Sequence, residues 1–266
     1  MTIKAGQSAV VTGAARGFGL AVARALANAG VNVMLTDRDA DELDAAVSGL
    51  DKSGGRVAGA ALDVTNEAQW EAAVTATADG FGGFDILVNN AGIQVSELIH
   101  DLDIERASQL FSINVLGTAL GMKHAFRAMR PGGIAGRGGS IVNLSSVAAL
   151  TNTPGVLIYS ASKSAVLRMT QVAAVEAGAL EYGIRVNCLC PSLIKTELGN
   201  DLIEDFTRLG LSDSVEMIAE HVVSRTPLRR FGNKDDVANS VLYLCSEEAS
   251  FITGVALRVD GGFALT

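Results

Sequence analysis

Tyr159 and Lys163 stand four residues apart in Tyr159-Ser-Ala-Ser-Lys163, at the start of a helix expected over 159–181. On a helix that spacing puts both side chains on one face, about 5–6 Å apart at Cβ. A free phenol has a pKa of about 10 and is a poor base at neutral pH, but an adjacent cation favours its phenolate. The pair is suited to general acid/base chemistry. A second constellation lies near the start of the chain. Thr12-Gly-Ala-Ala-Arg-Gly-Phe-Gly19 follows a short apolar run and carries glycines at 13, 17 and 19. Glycines there permit a tight turn, close approach of the backbone to a pyrophosphate, and a helix start with free N–H donors. Gly13, Arg16, Phe18 and Gly19 are the candidate cofactor contacts in this turn.

Asp37 follows the next apolar run, Val31 to Thr36. A carboxylate at that point can accept hydrogen bonds from both ribose hydroxyls of an adenosine, and it would repel a 2′-phosphate. Arg16 and Arg38 flank the same region and would attract that phosphate, so the signs conflict. A fixed acceptor facing an added dianion is the harder feature to compensate. NAD is therefore the expected cofactor.

Strands and helices in alternation would position these groups, and the chain reads that way. Strands are expected at 9–11, 31–36, 56–62, 85–89, 140–145, 185–190 and 256–259. Helices are expected at 20–29, 39–52, 66–80, about 105–130, 159–181 and 235–245. In the second, Leu43, Ala46, Val47 and Leu50 form one stripe. Apolar strands alternating with helices imply right-handed βαβ units and a parallel sheet covered on both faces. The expected fold is α/β, a doubly wound parallel sheet of the Rossmann kind, in a single domain over 1–266. Ligands of such folds sit at the carboxyl ends of the strands, near the point where strand order reverses. Residues 192–232 are expected to add a small helical substrate lid, with Leu198, Leu202, Phe206 and Leu209 at helical spacing.

Composition removes several other classes. Of the 266 residues 48% are hydrophobic and only 19% charged, unlike a disordered chain. Lys and Arg number 21 against 29 Asp and Glu, a net charge of −8 and the wrong sign for a nucleic-acid footprint. No apolar run is long enough to suggest a membrane partner, and residues 1–8 lack the pattern of a signal segment. The three cysteines include Cys188 and Cys190, a C-x-C pair in an apolar run, expected as small core hydrophobes. Their odd number favours a reducing, cytoplasmic setting. His100, His124 and His221 are scattered without ligand spacing, so no metal is expected.

Three motifs in one order carry a family resemblance. The glycine turn 12–19, Asn89-Asn-Ala-Gly92 after the fourth strand, and Tyr159-Ser-Ala-Ser-Lys163 together resemble the short-chain dehydrogenase/reductase family. The resemblance runs from residue 8 to Gly262. It implies hydride transfer with a nicotinamide cofactor, Tyr159 as acid/base, and Lys163 as its partner and a holder of the nicotinamide ribose. The family's active serine lies thirteen residues before the tyrosine, which singles out Ser146 in Asn143-Leu-Ser-Ser146 over Ser145. Asn114 matches the family asparagine behind the lysine, which shapes a water relay. Asp63 and Val64 match the adenine-contacting pair, Asn90 the residue near the adenosine ribose, and Ile194 and Thr196 the segment facing the carboxamide. Pro191-Ser192 departs from the usual Pro-Gly and alters the pocket floor. The resemblance also implies a homo-oligomer, a dimer or tetramer, formed through the long helices near 105–130 and 159–181.

The expected reaction interconverts a secondary alcohol and a ketone. Ile93, Val95, Leu150, Val156 and Leu193 make the expected surroundings apolar, which suits an alicyclic or steroid-like substrate. An NADPH-dependent 3-oxoacyl-carrier-protein reductase would share the fold but not Asp37 or the net charge. A non-catalytic NAD-sensing regulator would be expected to lack the Tyr/Lys pair. A sugar-nucleotide epimerase would need more chain after residue 192.

Overall fold

The computed structural model describes residues 1–50, 54–194 and 196–266, with Leu198 as backbone only. Seven strands in these residues form one parallel sheet: β1 (Ser8–Thr12), β2 (Asn32–Asp37), β3 (Val57–Ala61), β4 (Ile86–Asn89), β5 (Gly139–Leu144), β6 (Ile184–Pro191) and β7 (Ala256–Val259). Their spatial order is β3-β2-β1-β4-β5-β6-β7. Order reverses between β1 and β4, so Thr12 and Asn89 end their strands on either side of the switch-point crevice. This is the expected Rossmann-like, doubly wound sheet.

The strand side chains alternate between two cores. Ala9 and Val11 of β1 join α1 (Gly17–Asn28) and α9 (Lys234–Cys245) on one face, through Val22, Leu26, Val237 and Val241. Val10 points the other way, toward α3 (Glu67–Phe81), α5 (Thr118–Met129) and α6 (Leu157–Ala179), through Trp70, Met122, Met129 and Ala177. Each such valine, leucine or methionine side chain, once buried, stabilises the fold by about 1.5–3 kcal/mol. Trp70 is fully buried, and its Nε1 donates to the Val64 carbonyl at 2.9 Å, so the ring leaves no unsatisfied donor.

Local signals explain most helix starts. Asp39 accepts from Glu42 N ahead of α2 (Ala40–Ser48), Asn66 from Gln69 N ahead of α3, and Asp103 from Arg106 N ahead of α4 (Ile104–Phe111). Asn233 and Asp236 form a reciprocal capping box on α9. The helix expected over 39–52 stops at Ser48, and its last positions, 51–52, lie outside the described residues.

One expectation about the elements changes. The single helix at 105–130 is instead α4 and α5 joined by a π-helical turn, Ser112–Gly117. The Asn114 side chain bonds both backbone groups of Ile93, and a Cβ at Gly117 would lie 2.7 Å from Val64 Cγ2. These tertiary contacts favour the wider turn there. Residues 192–232, the stretch expected to be helical, contain two helices, α7 (Glu197–Arg208) and α8 (Val215–Arg225). Ile203, Ile218 and Val222 form their small shared core, with Leu193 and Phe206 packed against it.

Candidate active site

The carboxyl ends of β4, β5 and β6 carry the chemically suggestive residues, and α6 brings two more across the sheet. Lys163 is buried in α6, where its ammonium donates to the Leu144 carbonyl at 2.9 Å and lies 5.6 Å from the centre of the Tyr159 ring. Ser145 fixes the same helix turn by donating from Oγ to the Lys163 carbonyl at 2.9 Å. Burial pulls the Lys163 pKa from 10.5 down to about 8. Desolvation raises that of the half-buried Tyr159, against a smaller lowering by its hydrogen bond with Ser146. The expectation that Lys163 would bring the phenol below its ordinary value is corrected here. Burial is the larger effect, and the opposing one comes from the Ser146 hydroxyl.

Ser146 extends from the end of β5, and its Oγ also accepts from Ala148 N at 3.1 Å. That capping bond directs the hydroxyl, which lies beside the Tyr159 phenol. Asn114 is buried in the π turn, accepting from Ile93 N at 2.9 Å and donating to Ile93 O at 2.8 Å. Its amide also reaches Ser162 Oγ at 3.3 Å. Gly92 lies close to both Asn114 and the lysine. A Cβ there would lie 3.1 Å from Asn114 Oδ1 and 3.5 Å from Lys163 Nζ.

The other cluster lies at the switch point. Gly13 and Gly17 both adopt φ of +61°, open to glycine and strained for other residues. At Gly13 and Gly19 the structure adds a packing reason. A Cβ on Gly19 would lie 2.1 Å from the Gly13 carbonyl, and one on Gly13 would lie 2.9 Å from Ala91 Cα. Gly17 instead faces open space, and among the described residues no side chain caps the first turn of α1, which Phe18 and Gly19 help form. A helix start left free beside a glycine suits a pyrophosphate. Asp37 ends β2, its carboxylate accepting from Ala15 N and Asp39 N, each at 3.2 Å. These residues fit a nicotinamide dinucleotide.

Six expected contacts are already engaged or packed within the protein. Asn90 spends its amide on the Thr12 and Gly13 carbonyls, at 2.8 and 3.0 Å, and ties the two sides of the crevice together. Asp63 is exposed and turns its carboxylate on Thr65, while Val64 is buried against Gly117 and Trp70. Arg16 is held by Glu42 at 2.5 Å and by Glu197 of α7 at 3.5 Å. Ile194 is buried, bridged to Gly232, and Thr196 caps α7 by accepting from Gly199 N.

Some participants carry no sequence signal of their own. Thr12 Oγ1 accepts from both Asn90 N and Ala91 N at 3.0 Å, closing β4 onto β1. The Leu144 carbonyl could not have been found, because backbone acceptors are invisible to residue type. Of the apolar residues expected near the reacting carbon, Val95 and Val156 are buried, Ile93 is half-buried, Leu193 packs under α7 and α8, and Leu150 is exposed. Phe206, Leu209 and Leu211 converge on Gly155, where a Cβ would lie 2.8 Å from Leu211 Cδ1. The Leu198 side chain lies outside the described residues.

A Rossmann-like sheet with a serine following β5 and a tyrosine and a buried lysine on α6 beside it defines a class, and the comparisons agree with it. The chain belongs to the short-chain dehydrogenase/reductase family and is an oxidoreductase of the alcohol/ketone kind. The family profile described as enoyl-(acyl carrier protein) reductase matches residues 13–264. The 2-(S)-hydroxypropyl-CoM dehydrogenase 3 of Xanthobacter autotrophicus is 36% identical, over 95% of this chain and 94% of that one. The NADP-dependent (R)-specific alcohol dehydrogenase of Lentilactobacillus kefiri is 34% identical, covering 97% and 96%. Among solved structures, a protein assigned as a short-chain alcohol dehydrogenase from Sinorhizobium meliloti 1021 matches with TM-score 0.88 and 34% identity, over 99% of this chain and 98% of that one. An actinorhodin polyketide ketoreductase variant crystallised with NADPH matches with TM-score 0.88 and 29% identity, over 98% of each chain. Among the described residues, no helix is long and apolar enough to cross a membrane.

Proposed function

We propose that the protein is an NAD-dependent dehydrogenase of apolar secondary alcohols, alicyclic or steroid-like in shape, working in the cytoplasm. The observation that carries this reading is the buried Lys163 ammonium held 5.6 Å from the centre of the Tyr159 ring, with the Ser146 hydroxyl beside the phenol. A bound nicotinamide ring supplies the hydride acceptor for oxidation and the hydride donor for reduction. Ser146 donates to the substrate oxygen and fixes it next to the phenol. Tyr159 takes the hydroxyl proton in oxidation and returns it in reduction. Lys163 supplies positive charge under the ring and is the candidate holder of the nicotinamide ribose. Asn114 holds Ile93 and the π turn in place behind the lysine, and so supports the proton path.

Gly13, Arg16, Phe18 and Gly19 are the candidate pyrophosphate and adenosine contacts. Asp63, Val64 and Asn90 would flank the adenosine, and Ile194 and Thr196 the carboxamide. Asp37 supports NAD over NADP, and the pairing of Arg16 with two carboxylates strengthens that reading, since a paired guanidinium is poorly placed to receive a 2′-phosphate. An apolar substrate is supported by the convergence of Phe206, Leu209 and Leu211 on Gly155, with α7 and α8 acting as the lid of a single domain. A homo-oligomer formed through the long helices belongs to the same reading. The test is kcat/KM for NAD against NADP, and for cyclic alcohols against polyols. Preference for NAD and cyclic alcohols supports the proposal, and preference for NADP or polyols contradicts it.

A further inference from the structure

Away from the active site, α3 and α5 pack together and bring three potential ligands to one place. Glu67 and Glu71 stand one turn apart on α3, and His124 faces them from α5. Their ligand atoms all lie within 4.8 Å of one another. His124 is only 5% exposed, its ring lies near-parallel to Trp70, and its Nε2 is buried without a hydrogen bond of acceptable geometry among the described residues. That nitrogen points at Glu67, with Oε1 3.4 Å away. A buried polar atom left without a hydrogen bond is uncommon and calls for a reason.

We propose that Glu67, Glu71 and His124 form a site for a divalent transition-metal ion of the zinc type, clamping α3 to α5. A tetrahedral ion with bonds of about 2.1 Å holds its ligand atoms roughly 3.4 Å apart. The Nε2–Oε1 separation already has that value, and a rotamer change brings the exposed Glu71 carboxylate into range. Water completes the fourth position. One imidazole and two carboxylates suit zinc better than calcium or magnesium, which take oxygen ligands alone.

Lys123 and Arg127 oppose the ion, because both approach Glu67 Oε1, Lys123 within hydrogen-bond distance. Both side chains extend into solvent, and Lys123 can swing away on its flexible stem. Their charge places the expected affinity in the micromolar range rather than the nanomolar. None of the three ligands takes part in the proposed reaction, so the site is structural.

Trp70 is the only tryptophan in the chain and reports directly on the His124 ring. The chelator-treated, full-length protein is titrated with zinc chloride at pH 7.5, following Trp70 fluorescence and Tm. The expected result is a saturable change with one ion per chain, and a Tm raised by roughly 5 °C at about 100 µM zinc. Glu71→Gln, at an exposed position, should weaken binding by about tenfold or more while leaving the metal-free Tm unchanged. Lys123→Gln removes the competing cation and should tighten binding several-fold. The proposal is overturned by no saturable change with the intact protein, or by Glu71→Gln and Lys123→Gln both binding zinc as the unaltered chain does.

Discussion

The ammonium of Lys163 lies under the Tyr159 ring, 5.6 Å from its centre, and its bond to the Leu144 carbonyl is 2.9 Å long. Burial disfavours a cation held this way, so its presence does not serve folding. Its pKa falls from 10.5 to about 8, so between those values the folded protein binds fewer protons than the unfolded chain. Stability contributed by this position therefore rises with pH across that window and is least below pH 8. Lys163→Met should raise stability at pH 7 by about 2 kcal/mol, a gap worth roughly 3 kcal/mol less the lost hydrogen bond. Thermal unfolding of both proteins from pH 7 to 10 should show that advantage shrinking as pH rises, while activity is lost throughout.

Asp37 and Arg16 should govern cofactor choice together. Asp37→Ala alone should reduce kcat/KM for NAD by about tenfold, through loss of a charge-assisted hydrogen bond. Arg16 would still be held by Glu42 and Glu197, so the gain with NADP should be small. Adding Glu42→Gln frees the guanidinium and should raise NADP activity well beyond the single change. Steady-state rates with both cofactors test the order of these effects.

Ser146→Ala should separate catalysis from folding. The hydroxyl caps a short turn through Ala148 N, and losing it should cost about 1 kcal/mol of stability. Loss of its proposed bond to the substrate oxygen should lower kcat by roughly a hundredfold or more. Denaturant unfolding and single-turnover rates read the two effects independently.

The buried amides behind the site should matter for folding. Asn143 accepts from Asn89 Nδ2 at 2.8 Å and donates to Thr170 Oγ1 at 2.9 Å, linking β4, β5 and α6. Asn143→Ala strands both partners and leaves a cavity, and should destabilise the protein by about 2–4 kcal/mol. A midpoint of urea unfolding unchanged from the unaltered chain would contradict this.

Much of the fold was legible because apolar runs such as Ala9–Val11 and Ile86–Val88 have no polar face to hide, and so read as buried strands. Helix starts were legible within a few residues wherever Asp39, Asn66 or Asn233 caps them. The π turn at Ser112–Gly117 was not, because its cause is the bond between Asn114 and Ile93, a contact made only when the chain folds. The Tyr159/Lys163 spacing was readable, but the direction of the phenol's shift depends on burial. The partners of Arg16 and the meeting of His124 with Glu67 were likewise hidden, since each joins elements far apart in sequence.

The central claim is that Tyr159 transfers the substrate proton. Tyr159→Phe keeps the ring over Lys163 and removes only the hydroxyl. Measuring kcat for oxidation of a cyclic secondary alcohol, together with the NAD dissociation constant, isolates that group. The account predicts a kcat reduced by about a thousandfold or more, with NAD binding nearly unchanged. Turnover at the rate of the unaltered enzyme would contradict it.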